Sequence, residues 1–399
     1  MEPTPADEIL RRQQLLQQLL PEAGLELALI RQAADLYYYS GIIVDGFLAL
    51  APVGEAVLCI RRPRHRYDEQ ELPFPVAYYR DLRDLPAILG QLGLGPHGSI
   101  GLELDVMPAA LYRRLREQIF PHSPCQDLSP LLRRQRMIKS PYEIRQIEKA
   151  GQILAAVLDE AAAIITPGQS ELELAANLEY RLRLAGHQGL VRTRTWNLEM
   201  FFGHILSGPT GTQAAYVDTP SGGSGFSHGF PQGAGTRRFA VGEPISVDLA
   251  ACINGYIADA TRLYVLGDLP DPAWRLVALA ERLFQRFQDE ARPGVIPADL
   301  YKLLLAEVEA AGEADHFMGL GLDKVAFVGH GVGLELDELP IIGPRFTWPL
   351  AADMVVAFEP KFFLPEVGMI GFEDTGRITP QGVVWLTQTR QHVHRLPGA

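Results

Sequence analysis

Pro244-Ile245-Ser246-Val247-Asp248-Leu249-Ala250-Ala251-Cys252-Ile253, then Asn254-Gly255, then Tyr256-Ile257-Ala258-Asp259-Ala260-Thr261-Arg262-Leu263-Tyr264, is the stretch that decides the fold. Asn-Gly favours a two-residue hairpin turn, so the flanking runs read as antiparallel partners with Ile253 opposite Tyr256. Counting outward puts Asp248 opposite Thr261. Asp259 is two positions from Thr261, so its side chain leaves the same face as that of Asp248. Diagonal neighbours on one face lie within about 7–8 Å. Two carboxylates this close repel each other unless a cation lies between them. The pair alone also fits two aspartates on a wet hairpin face, so further donors must decide between the two readings.

Those donors follow in the C-terminal half. Gly329-His330-Gly331-Val332-Gly333-Leu334 sets one histidine among glycines, which let backbone pass close to a ligand. It follows Val325-Ala326-Phe327-Val328, read as an apolar strand. Met354-Val355-Val356-Ala357-Phe358-Glu359-Pro360 reads as a strand ending in a carboxylate, and Met369-Ile370-Gly371-Phe372-Glu373-Asp374-Thr375 as another. A charge inside such a run is costly unless paired or metal-bound. Asp248, Asp259, His330, Glu359 and Glu373 together suit two divalent metal ions. An oxygen-rich set with one nitrogen favours Mn, Fe, Co or Zn over Cu.

Composition bounds the surroundings. The chain has 399 residues, 47% hydrophobic and 21% charged, with a formal net charge of −12. That length allows two domains. That charge repels nucleic acid and anionic membrane, so neither is an expected partner. The run Arg61, Arg62, Arg64, His65 and Arg66 reads as a solvated loop after a strand. Cys59, Cys125 and Cys252 form no CxxC pair, which fits a reducing compartment without a disulfide framework. The stretch from Met1 to Glu8 lacks a basic start and an apolar core, and the expectation is a cytoplasmic protein. The most apolar window, Gly41 to Ile60, carries Asp45 and Glu55 and does not read as a membrane span.

Along the first third, helix and strand alternate. A helix is expected over residues 7–20, then an apolar run at Leu27–Ile30, strands at Gly46–Leu50, Ala56–Ile60 and Ser99–Glu103, and a helix over 111–119. This pattern implies an α/β layer domain over residues 1–135. Arg133 to Lys139 reads as a basic connector. Ser140-Pro141-Tyr142-Glu143 then carries a capping box with proline in the first turn and opens a second domain over residues 136–399. A weak repeat runs through that domain: Pro167-Gly168 leads through an amphipathic helix to Gly186, and Pro293-Gly294 leads at the same interval to Gly312. Self-similarity at a fixed offset implies duplicated halves.

These motifs, in this order, resemble the creatinase/aminopeptidase, or pita-bread, metallopeptidase family of methionine aminopeptidase, Xaa-Pro aminopeptidase and prolidase. The resemblance covers most of the chain. It implies a creatinase-type α/β N-terminal domain, joined near Met137-Ile138-Lys139-Ser140-Pro141, and an α+β pita-bread catalytic domain with pseudo-twofold-related halves. It maps the family's metal ligands onto Asp248, Asp259, His330, Glu359 and Glu373. By that resemblance Asp259 and Glu373 bridge two ions, Asp248 completes one site, and His330 and Glu359 complete the other. It further implies water attack on a scissile carbonyl with Glu359 as proton acceptor, so that His330 and Glu359 belong to the catalytic set, and it implies a homodimer.

Three positions depart from the peptidase pattern. Gln232, in Phe230-Pro231-Gln232-Gly233, stands where the family peptidases carry a histidine. Asp337, in Asp337-Glu338-Leu339-Pro340, stands where they carry another. Gly371 replaces the arginine of a prolidase-like Arg-Ile-Glu-Asp string. These are substrate-contact and proton-transfer positions, so the pocket is expected to change while the ligands stay. His204 and His228 are candidate replacements, and Glu338 and the Gly-rich run Ser221 to Gly225 are candidate pocket residues. The leading expectation is cleavage before proline in short peptides. The alternative is a non-peptidase enzyme on the same fold, a creatinase-like C–N hydrolase or a lyase acting on a small molecule. A non-catalytic binding module is a third reading, and retention of all five ligands speaks against it.

Overall fold

The computed structural model describes residues 2–64, 66, 72–95 and 98–398; His65 of the basic run lies outside them. The chain divides into two compact units, Met1–Arg136 and Met137–Ala399.

The first unit contains α1 (Ala6–Leu19), β1 (Leu27–Ile30), α2 (Ala33–Ser40), β2 (Asp45–Leu50), β3 (Val57–Arg62), β4 (Val76–Tyr78), α3 (Leu85–Gln91), β5 (Ile100–Leu102), α4 (Ala109–Arg114), β6 (Cys125–Asp127) and the start of α5 (Ser129–Met137). Its strands form one mixed sheet in the order β4-β3-β2-β1-β5-β6. Leu27, Leu29, Phe47, Ala49 and Leu102 are buried in its core with Leu85, Leu89 and Leu115.

Two basic stretches behave differently from the sequence reading. Arg61 and Arg62 belong to the end of β3 rather than to the loop after it, but both are exposed, as expected, and both pair with Asp45, which also holds Arg31. The expected connector at Arg133 to Lys139 is mostly the last turns of α5. Arg136 is buried there and pairs with Asp35 at 2.6 Å. The carboxylate that neutralises Arg136 is far away in sequence, which is why the local run gave no sign of its burial.

The second unit begins with α6 (Pro141–Ala161), opened by the expected capping box: the Glu143 amide donates to Ser140 Oγ at 3.2 Å and the Ser140 amide to Glu143 Oε2 at 3.0 Å. It continues through α7 (Glu171–Ala185), β7 (Gly203–Ser207), β8 (Pro244–Ile253), β9 (Tyr256–Leu266), α8 (Asp271–Glu290), α9 (Pro297–Ala310), β10 (Gly329–Gly331), β11 (Glu338–Ile342), β12 (Val355–Phe358), β13 (Lys361–Leu364), β14 (Gly368–Gly371), β15 (Glu373–Thr379), β16 (Gly382–Trp385) and β17 (Val393–Leu396). The helix pairs α6–α7 and α8–α9 are the two copies of the sequence repeat. The main sheet runs β11-β10-β12-β15-β9-β8-β7, with β16 on β15 and β17 on β9; β13 and β14 form a separate hairpin.

The hairpin register is the expected one, with Ile253 opposite Tyr256 and Asp248 opposite Thr261. Two strand expectations fail. Val325 to Val328 is irregular, held by the Val325 amide on the Met318 carbonyl and by bonds at Val328, and only Val328 is buried in it. An apolar run cannot by itself be told from a packed loop. Met369 to Thr375 is two strands, broken at Phe372, one in the β13–β14 hairpin and one in the main sheet. Phe372 is buried and turns to the core, where α8 supplies Phe284 and Phe287. Phe287 lies flat on Phe358 with ring centroids 4.0 Å apart.

Candidate metal centre

Register alone carries the five donors to one face. Asp248 on β8 pairs with Thr261 on β9, and Thr261 pairs with Glu373 on β15. Paired residues share a face, and so do residues two apart. Asp259 therefore joins Asp248 and Glu373. Ala357 on β12 pairs both with Thr375, two beyond Glu373, and with His330 on β10. Glu359, two beyond Ala357, completes the set.

The centre is buried: Asp259 is 7% exposed, Glu359 4% and Glu373 1%. The backbone of Asp259 is held on both sides by Thr375 Oγ1, which receives the Asp259 amide and donates to its carbonyl, each at 2.9 Å. Thr261 Oγ1 donates to Glu373 Oε2 at 2.9 Å. Arg262, fully buried, donates to the carbonyls of Thr261, Glu373 and Thr387 and to Asp374 Oδ1.

A sixth residue, absent from the sequence reading, sits among the donors. Lys361 Nζ donates to Asp248 Oδ2 at 2.9 Å, Glu359 Oε2 at 2.8 Å and Glu373 Oε2 at 3.1 Å, with its side chain 1% exposed. Burial disfavours its charge, but the three carboxylates outweigh burial and hold the ammonium charged well above the ordinary lysine range. A signal for it was present: a lysine two residues after Glu359, inside the apolar run Phe358 to Leu364, must find a buried anion.

The two glutamates are split between partners. Their Oε2 atoms face Lys361, and their Oε1 atoms each lie 3.8 Å from His330 Nε2. Glu373 Oε1 is buried with no hydrogen-bond partner among the described residues. One donor atom each from Asp259, His330 and Glu373 fall within 4.8 Å of one another. Burial, then the charges of Glu373 and Asp248, push the Asp259 carboxyl well above its usual range. Burial likewise raises Glu373 to about 8, against the pull of Lys361. One ammonium does not neutralise four carboxylates, and the His330 half keeps an orphaned oxygen. That donor set fits one divalent ion. The Asp248 half is filled by the ammonium and does not fit a second.

The remaining candidates divide. His204 on β7 pairs with Asp248 across the strands; it is buried, its Nε2 has no partner among the described residues, and burial holds it below the ordinary histidine value. Gln232 is buried, donates to the Glu199 carbonyl at 3.0 Å and leaves Oε1 without a partner among the described residues. His228 is exposed on a loop. Asp337 accepts from the Arg194 amide at 2.7 Å and the Thr195 amide at 2.9 Å, and Thr195 Oγ1 donates to its second oxygen, so it clamps a loop. Glu338 receives Lys139 and the amides of Leu334 and Glu335. The Gly-rich run is built rather than loose: the Gly222 and Gly223 amides donate to the Gln213 carbonyl, and that of Gly225 to Gly233. Gly371 pairs with Lys361 across β13 and β14.

Known proteins share this arrangement in outline. The chain is 25% identical over 391 residues to an Xaa-Pro dipeptidase of Pyrococcus furiosus, spanning 96% of this chain and 99% of the relative. The solved Xaa-Pro dipeptidase from Bacillus anthracis matches with a TM-score of 0.81 at 21% identity, over 97% of this chain and 100% of that one. The prolidase from Pyrococcus horikoshii OT3 matches with a TM-score of 0.78 at 23% identity, over 96% and 99%. These likenesses establish the fold: a creatinase-type N-terminal domain followed by a pita-bread domain. The sequence profile of the creatinase/prolidase N-terminal domain matches residues 12–138. That of metallopeptidase family M24 matches residues 145–380, which takes in every donor described above, and the chain is a hydrolase belonging to that family.

Proposed function

We propose that this chain is a metal-dependent peptidase of Xaa-Pro type, cleaving the bond before proline in short peptides. The observation that carries the reading is the convergence of His330 Nε2 with the carboxylates of Asp259, Glu359 and Glu373 on one buried face. Relatives named Xaa-Pro dipeptidase, aligned over nearly the whole chain, supply the substrate class.

His330, Asp259 and Glu373 would hold an ion of the Mn, Fe, Co or Zn class, given one nitrogen among oxygens. When bound, such an ion lowers the pKa of a water and polarises a carbonyl oxygen. Glu359 is the proton acceptor: Lys361 occupies its Oε2, which leaves Oε1 on the His330 side to take a proton. The side chains of Asp248 and His330 are the more exposed members, at 16% and 14%, so substrate enters past them. Homodimerisation belongs to the same reading.

A second reading is favoured by one observation. Asp337 spends both carboxylate oxygens on residues 194–195, so the place of a family histidine offers no proton donor. This supports a creatinase-like C–N hydrolase or a lyase of a small molecule. A panel of Xaa-Pro dipeptides and tripeptides, assayed with Mn or Co, separates the two. Turnover of at least one peptide is expected; none, with metal bound, overturns the peptidase reading in favour of the second.

A further inference from the structure

We infer that the centre holds a single divalent ion, in the His330 half, and that the Lys361 ammonium stands permanently where a second ion would lie. The inference rests on the metal-dependent reading above and concerns how many ions that reading allows.

Three observations carry it. The first is geometric. Lys361 Nζ lies 2.8–3.1 Å from one oxygen each of Asp248, Glu359 and Glu373. A divalent ion would need those oxygens at about 2.0–2.2 Å, and the same lone pairs cannot serve both cations. Lys361 is 1% exposed, so on moving aside its ammonium would give up three carboxylates that no water replaces where it stands. The second is the division of oxygens. Both glutamates turn Oε2 to Lys361 and Oε1 to His330, and Asp259, His330 and Glu373 remain clustered on the other side. Asp248 is left with the ammonium. The third is the space for Lys361. It pairs with Gly371, where a Cβ would lie 2.5 Å from the Pro360 carbonyl oxygen, 2.8 Å from Lys361 Cα and 3.1 Å from Lys361 Cγ. The side chain missing at 371 and the cation present at 361 are two sides of one arrangement.

Charge allows it. Four carboxylates face one ammonium, and a single divalent ion brings the centre to within one charge of neutrality. Two ions beside the ammonium would leave it one charge positive, equally far from neutral, so the geometry rather than the charge sets the number.

The test is stoichiometry. Chelator-stripped protein is titrated with Mn, the bound metal is counted by elemental analysis, and electron paramagnetic resonance reports whether neighbouring Mn ions are spin-coupled. Wild type is expected to take one ion per chain, with an uncoupled spectrum. Lys361→Ala is expected to take two, with a coupled spectrum. Lys361→Met, closer in volume, is expected to lose the ammonium without opening a void and to gain the second ion with lower affinity; it stands in if the alanine variant does not fold by circular dichroism. Two coupled ions in wild type would overturn this inference while leaving the metal-dependent reading intact. One ion in both folded variants would also overturn it. No ion in wild type would overturn the metal-dependent reading itself.

Discussion

Arg262→Met tests whether the centre is held from behind by a buried guanidinium. Arg262 is 0% exposed and Asp374, its partner at 2.5 Å, is 3% exposed. Methionine fills much of the same volume but supplies no donor. The carbonyls of Thr261, Glu373 and Thr387 lose bonds of 2.8, 2.7 and 2.9 Å. Asp374 keeps Thr387 Oγ1 at 2.7 Å and His392 Nε2 at 3.2 Å, which cushions it without replacing the charge. Breaking a buried pair from one side costs about 3–5 kcal/mol, a large part of the ~5–15 kcal/mol by which a domain is stable. All four tryptophans, Trp196, Trp274, Trp348 and Trp385, lie in the second unit, so urea unfolding followed by their fluorescence reports the unit that carries Arg262. The transition is expected to move by this amount. Arg262→Met combined with Asp374→Leu is expected to recover part of the loss, because it removes the stranded carboxylate as well. A loss below about 1 kcal/mol, the scale of a surface pair, or no recovery in the double variant, would refute the reasoning.

Three further outcomes follow from the same structure. Phe287→Ala removes the ring stacked on Phe358 in the core behind the sheet and is expected to cost about 3–5 kcal/mol in the same unfolding assay; a change under about 1 kcal/mol would mean the site collapses without a cavity. His187 Nδ1 accepts the Cys252 amide at 2.8 Å and must be neutral to do so; burial, then Arg183, lowers it from 6.5 to about 4. With the folded value depressed, its contribution is complete above 6.5 and is lost as pH falls toward 4. His187→Gln, which can still accept that amide, is expected to flatten the fall in urea midpoint across this window, and equal slopes would count against the assignment. Asp337→Ala releases the Arg194 and Thr195 amides and is expected to speed tryptic cutting at Arg192 and Arg194 severalfold; an unchanged digestion pattern would show that the loop is held by other contacts.

The parts of this fold that were legible in sequence are those written in local periodicity. Asn254-Gly255 fixed the hairpin register, and that register fixed the common face of Asp248 and Asp259. The capping box at Ser140 was legible because its partners are three residues apart. What escaped depends on contacts far away in sequence. Arg136 looked like part of a basic connector because Asp35, its buried partner, is 101 residues distant. Lys361 went unnoticed because the carboxylates that receive it come from β8, β15 and the end of β12. Val325 to Val328 and the break at Phe372 escaped because hydrophobic content says that a segment is covered, not what conformation it takes while covered.

Strand β17 pairs in parallel with β9, with Val393 opposite Leu263 and Leu396 opposite Leu266. The middle of the main sheet is thus finished by a strand translated after all of its other described strands. Domains fold as units, N-terminal first, during synthesis. The first unit can reach its native state while the ribosome is still making the second, but the Leu263–Leu266 part of β9 keeps one edge unzipped until residues 393–396 emerge. The nascent chain therefore passes through a stage with one mature domain and one open β edge, and it is at this stage that a chaperone or a stray strand would compete for it.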